Sequence, residues 1–192
     1  MEPVMEPLDA IAAASSTFVA VLDQVPSDQL GAATPCEEWD VRELLAHVIV
    51  GSHMAVALLD GASADEAKEF WGQTFGDDIV DVCRESVDVQ LDRVNIVSDW
   101  DAAVHHVVGD MPASRLLGFR TSDLTLHAWD LATAFGIDDG IADDLAADVY
   151  VSLAPMAPFI GDTGMFGSGP SGAVGDDATV KDRLLDLAGR RP

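Results

Sequence analysis

Residues 120–136 read Arg-Thr-Ser-Asp-Leu-Thr-Leu-His-Ala-Trp-Asp-Leu-Ala-Thr-Ala-Phe-Gly. The spacing predicts a helix from about Ser114 to Phe135, with Gly136 as its C-terminal cap. On that helix Asp123 and His127, four residues apart, are separated by about 400° and stand on one face, one turn apart. A carboxylate oxygen and an imidazole nitrogen so placed suit one Zn²⁺, Ni²⁺, Fe²⁺ or Mn²⁺ ion. Asp130 faces the same way, either as a further ligand or as an acceptor that orients a His ring. Arg120, one turn before Asp123, is placed to orient Asp123 or an anionic substrate; the alternative is a surface ion pair worth little. The same spacing also fits a solvated Asp–His pair. The face holds no Lys or Glu, however, and it continues into the small apolar Ala134, which points it inward.

Apolar spacing is helical through the rest of the chain, with no convincing alternating run. Helices are expected at about 7–24, 40–59, 77–95 and 141–156, with a short one near 178–188. The helix at 40–59 opens with Asp40 and Glu43 in capping-box positions, and Trp39 is placed to staple onto Leu44. Residues 161–177, rich in Gly, Pro and Ser, read as a surface loop. Four substantial helices imply an all-α four-helix bundle without a sheet core. The connections at 25–39 and 96–113 are long for bundle turns, and long loops commonly border a site.

His47 falls on the apolar stripe of the second helix with Leu44, Gly51, Met54 and Leu58. One reading is a buried His with a single partner. The other makes Gly51 a gap beside a potential ligand, roomy enough for water or substrate; a Gly there also suits close helix–helix packing. His53 points elsewhere, and His105 and His106 fall in or near a loop. Cys36 lies before a helix N-terminus, but Glu37 and Glu38 oppose a thiolate, so it reads as a packed turn residue. Cys83 reads as core. There is no G-x-S-x-G, no phosphate-binding Gly loop and no C-x-x-C, and no residue is singled out as catalytic.

The chain has 192 residues with a formal net charge of −24 and a sequence pI near 4.1. A single domain over residues 1–192 is expected. With 48% apolar residues the composition is that of a folded protein. The charge argues against nucleic-acid and anionic-membrane partners. An anionic substrate would need a local positive centre, either a metal ion or an Arg. Two cysteines make no disulfide framework, the acidic start Met-Glu-Pro-Val-Met-Glu-Pro-Leu-Asp-Ala does not read as a secretory signal, and a soluble cytoplasmic protein is expected.

Thr-Pro-Cys-Glu-Glu-Trp-Asp-Val-Arg-Glu-Leu-Leu-Ala-His at 34–47 and Leu-x-x-His-Ala-Trp-Asp-Leu-Ala at 124–132 resemble the DinB-like metal-binding superfamily. The similarity is to its actinobacterial branch related to the N-terminal domain of mycothiol-dependent maleylpyruvate isomerase. Lys-Asp-Arg-Leu-Leu-Asp-Leu-Ala-Gly-Arg-Arg-Pro at 181–192 resembles the ending of the short members of that branch. The resemblance implies an up-down-down-up four-helix bundle and a metal triad of His47, Asp123 and His127. It further implies Zn or Ni as the metal, mycothiol as co-substrate, and an S-transferase or isomerase joining a low-molecular-weight thiol to a small-molecule electrophile. The isomerase has Glu where this chain has Asp123, and it carries a further C-terminal domain. Two other readings stay open: a non-catalytic metal-binding regulatory or stress-related bundle, and a homodimer in which the metal face is only a polar core. Closure of the ion by a fourth ligand such as Asp130 or His53 would favour a structural ion over a catalytic one.

Overall fold

The computed structural model describes residues 4–36, 39–163, 166, 168–175 and 177–191. Helix α1 (Pro7–Leu22) starts with Pro at its first turn, where a missing N–H costs nothing. Helix α2 (Val41–Leu59) starts at the expected capping box, Asp40 accepting from the Glu43 N–H while Glu43 reaches back to the Asp40 N–H. A short α3 (Ala64–Lys68) has a box of its own, built from Ser63 and Glu66. Helices α4 (Ile79–Asn95), α5 (Ala113–Phe135), α6 (Asp143–Leu153) and α7 (Val180–Leu187) follow. Gly136 ends α5 in the left-handed region, φ 63°, as the sequence implied.

Four long helices make the bundle. α1 packs on α5 and α4, and α2 packs on α4 and α5. The ion pairs fix the directions. Arg42 to Asp77 joins the starts of α2 and α4, and Arg93 to Asp60 joins their ends, so the two run parallel. Asp23 after α1 meets Arg84 early in α4, so those two are antiparallel. Arg120 early in α5 meets Ser52 beyond the middle of α2, while His127 further along α5 meets His47 near the start of α2, so α5 runs opposite to α2. Up-down-down-up follows. It places α1 diagonal to α2 and α4 diagonal to α5, which is why both of those connections are long. The core is apolar, with Phe18, Leu22, Leu44, Leu45, Ile49 and Leu131 essentially inaccessible. Each such side chain contributes roughly 1.5–3 kcal/mol by leaving water.

Three local differences from the sequence expectation have physical causes. The 96–113 connection contains a β-hairpin, β1 (Ala103–His106) paired antiparallel with β2 (Gly109–Pro112), Ala103 opposite Pro112. Four-residue strands are too short to show an alternation. Helix α6 stops at Leu153 rather than near 156, because Pro155 lacks the N–H that would continue it. Helix α3 was not expected, because a single turn is too short to show a period. Helix α2 is the one described helix long and apolar enough to cross a membrane, and half of its apolar window is buried in the bundle.

Candidate metal centre

The α2–α5 contact is where buried polar groups collect. His47 sits at the second turn of α2 and Asp123 at the middle of α5, and His47 Nε2 lies 3.0 Å from Asp123 Oδ1. His127, one turn after Asp123, brings its Nε2 to 3.4 Å from the same oxygen. The two imidazoles meet edge to face with centroids 5.0 Å apart. The sequence-derived trio therefore converges on one point, its donor atoms all within 4.8 Å of one another. Trp39, instead of serving only as a staple before α2, lies over both rings, at 4.6 Å from His47 and 5.8 Å from His127.

Asp123 and His127 each have their second polar atom engaged elsewhere, which turns the first toward the convergence point. Asp123 Oδ2 accepts from Arg120 Nη1 at 2.6 Å. His127 Nδ1 pairs with Asp130 Oδ2 at 2.9 Å, so the neutral ring keeps its Nε2 lone pair facing Asp123. Asp130 is thus an orienting acceptor and not a member of the converging trio. His53 packs against Phe70, away from the centre.

Gly51 serves close packing between α2 and α5 and leaves no gap for water or substrate. The space beside it is filled by the Arg120 guanidinium, which a Cβ at Gly51 would strike. Arg120 is itself buried, 7% exposed, and also bonds Gln90 Oε1 at 2.7 Å and Ser52 Oγ at 3.2 Å. It orients Asp123; the alternative of a weak surface ion pair does not apply.

Burial opposes ionisation of Asp123, but His47, Arg120 and His127 around it overcome this and hold its carboxyl well below the usual range. Burial likewise opposes a charged His127, while Asp123 and Asp130 outweigh it and raise the ring well above its ordinary value. Burial outweighs the nearby Arg120 and Arg84 charges and pushes the Cys83 thiol up to about 12, so it is inert core as expected.

Asp130 is fully buried, and burial would raise its pKa, but the His127 hydrogen bond and the Arg190 charge bring it down to about 2. A carboxyl depressed in the folded state stabilises the protein above its unfolded value, and the stabilisation fades as pH falls from 3.8 toward 2. The difference is worth roughly 2 kcal/mol. The protein should therefore lose stability over that acid window, and Asp130→Asn should flatten that limb while lowering stability at neutral pH. Urea midpoints at neutral and acid pH check this; an unchanged acid limb in the variant contradicts it.

Sequence reasoning missed two residues here. Cys36 is more than a turn residue: its Sγ lies 3.3 Å from Asp130 Oδ2. Arg190, following α7, forks onto Asp130 with Nη2 at 2.6 Å and Nε at 3.1 Å. Only the C-terminal motif carried any hint of Arg190, because a contact spanning 60 residues has no local signature. Cys36, His127 and Asp130 also cluster closely enough to suggest a second ion. The guanidinium against both Asp130 oxygens already supplies that positive charge.

The fit to an ion can be tested on the donor separations. Two donors each about 2.1 Å from one ion stand roughly 3.0–3.4 Å apart for angles of about 90–110°. The observed 3.0 Å and 3.4 Å are of that size. Two imidazole nitrogens and one carboxylate oxygen are also a donor set suited to zinc and its neighbours. The residues present fit a divalent ion.

These features define a class: an up-down-down-up helical bundle with two His and one Asp converging between its second and its last long helix. The chain belongs to the mycothiol maleylpyruvate isomerase N-terminal domain family, whose model matches residues 8–132. It is 30% identical over 144 residues to an uncharacterized protein of Mycobacterium tuberculosis, covering 75% of each chain, in strain CDC 1551 / Oshkosh and in strain ATCC 25618 / H37Rv. The crystal structure of mycothiol-dependent maleylpyruvate isomerase superposes with a TM-score of 0.61 at 23% identity, covering 76% of this chain and 67% of that one. A histidine-to-alanine mutant of that isomerase superposes with a TM-score of 0.65 at 21% identity, covering 88% and 74%. At these identities the two structures establish the shared fold.

Proposed function

We propose that the protein binds one divalent metal ion, Zn²⁺ or Ni²⁺, through His47, Asp123 and His127, and acts as a metal- and thiol-dependent S-transferase or isomerase of the mycothiol type. The observation that carries this reading is the openness of the donor set. Among the described residues no fourth His, Cys, Asp or Glu joins the trio. The His47 and Asp123 side chains keep 38% and 22% of their surface exposed. Three protein donors with solvent on one side are the pattern of a catalytic site, whereas a structural ion is closed by a fourth.

A divalent ion held there would supply a Lewis acid that lowers the pKa of a thiol. The chain's own residues prepare the position. Arg120 turns Asp123 so that Oδ1 is offered, Asp130 turns His127 so that Nε2 is offered, and Trp39 shields both imidazoles from water on one side. Arg120 and Arg190 are each bound to a carboxylate and are not free to receive an anionic substrate. In a chain of net charge −24, the ion would then be the positive centre that draws in a thiolate and an anionic or polarised electrophile.

The test is turnover of an electrophile panel, maleylpyruvate included, with mycothiol as thiol, on metal-loaded and metal-stripped protein. Thiol consumption that needs both the ion and the thiol is expected. Stoichiometric metal without turnover of any electrophile would instead favour the non-catalytic bundle.

A further inference from the structure

We propose that Arg190 is a positioning residue of this centre: acting through Asp130, it fixes His127 with Nδ1 as hydrogen-bond donor and Nε2 as the ligand atom. The proposal rests on the metal reading above and extends it beyond residues 8–132, the part matched by the family model.

Asp130 is the hinge of the argument. It is wholly buried, and its two oxygens receive every contact the structure gives it. Oδ2 takes His127 Nδ1, Cys36 Sγ and Arg190 Nη2, while Oδ1 takes Arg190 Nε. A guanidinium fork on a carboxylate fixes the plane of that carboxylate, which a point charge does not. With its plane fixed, the carboxylate presents an acceptor to Nδ1 in one direction only. The ring is thereby held edge-on to Asp123.

Arg190 is delivered rigidly. Gly189 turns the chain at φ 78°, and a Cβ there would collide with the Phe166 carbonyl oxygen. The Arg190 N–H bonds the Leu185 carbonyl at 2.8 Å, and Nη1 bonds the Ala188 carbonyl at 2.8 Å. Its side chain is only 10% exposed. The neighbouring Arg191 does different work. Half exposed, it bonds Ser168 and Asp186 and so ties the segment to the preceding loop without touching the centre. Tail anchoring and centre positioning are thus divided between adjacent arginines, which makes them separable by experiment.

The experiment compares the full chain with Arg190→Ala, Arg190→Lys, Arg191→Ala and His127→Ala. One readout is Zn²⁺ affinity by competition with a chromophoric chelator. The other, in metal-free protein, is the exchange-protected Nδ1–H resonance of His127. Arg190→Ala should weaken Zn²⁺ binding about 10–100-fold, the usual effect of losing an outer partner of a metal-bound His. It should also lose the protected resonance. Arg190→Lys keeps the charge and the fold but not the fork, and should fall between. Arg191→Ala should change neither readout. Parent-like affinity and resonance in Arg190→Ala and Arg190→Lys overturn the proposal, as does an equal loss in Arg191→Ala, which would make tail docking the cause. A parent chain that binds Zn²⁺ no better than His127→Ala overturns the metal reading and this proposal together.

Discussion

Replacing His127 with Ala is expected to abolish stoichiometric binding of Zn²⁺ or Ni²⁺. The imidazole is the most constrained of the three donors, buried beside Asp123 and held at Nδ1 by Asp130. Its loss leaves His47 and one carboxylate oxygen, too few donors to compete with water. His47→Ala should weaken binding in the same direction, since its Nε2 meets the same Asp123 oxygen. Protons supply an independent check. Asp123 and Asp130 raise His127 well above its ordinary value against the opposing effect of burial, so an entering ion must displace a proton. Affinity should therefore rise with pH through and above the ordinary His value of about 6.5. Calorimetric titrations at pH of about 7.5 and about 5.5 bracket that value. Unchanged metal content in His127→Ala, or an affinity indifferent to pH, contradicts the assignment.

The fold was legible because helical periodicity is redundant. Each long helix repeats its apolar face over several turns, and Asp40, Glu43 and Gly136 mark ends by capping chemistry that works locally. What escaped notice was short. Ser63-Ala64-Asp65-Glu66 is a capping box as readable as the one at Asp40, yet the helix behind it is a single turn and shows no period. The hairpin at 103–112 lacks the length for an alternation.

At the centre, the Asp123–His127 spacing gave the shared face directly, because helix geometry fixes it. The same geometry placed Arg120 one turn before Asp123, where it orients that carboxylate. The contribution of His47 and the roles of Gly51 and Arg190 depended on which helices meet and at what height. Gly51 shows the limit clearly: its missing side chain was visible in the sequence, but only the packing of α5 against α2 showed that a guanidinium fills the space.

That guanidinium supports the second large prediction. Arg120→Leu should lower the stability of metal-free protein by about 3 kcal/mol, the lower end of the range for breaking a buried ion pair. The lower end applies because Asp123 keeps 22% of its side-chain surface in contact with solvent. The loss combines two effects. Asp123 keeps its charge without its closest cation, and the Gln90 and Ser52 oxygens lose the donor they share. The double variant Arg120→Leu with Asp123→Asn separates them, since a neutral amide at 123 removes the stranded charge but restores nothing to Gln90 or Ser52. Removing both members of a buried pair costs less than removing one. The double variant should therefore be more stable than Arg120→Leu alone, while remaining below the parent. Urea unfolding of the parent, Arg120→Leu, Asp123→Asn and the double variant gives the complete cycle. If the two single losses simply add, Arg120 is a packing residue with a charge at its tip. A positive coupling makes it the group that keeps Asp123 ionised and turned toward the two imidazoles.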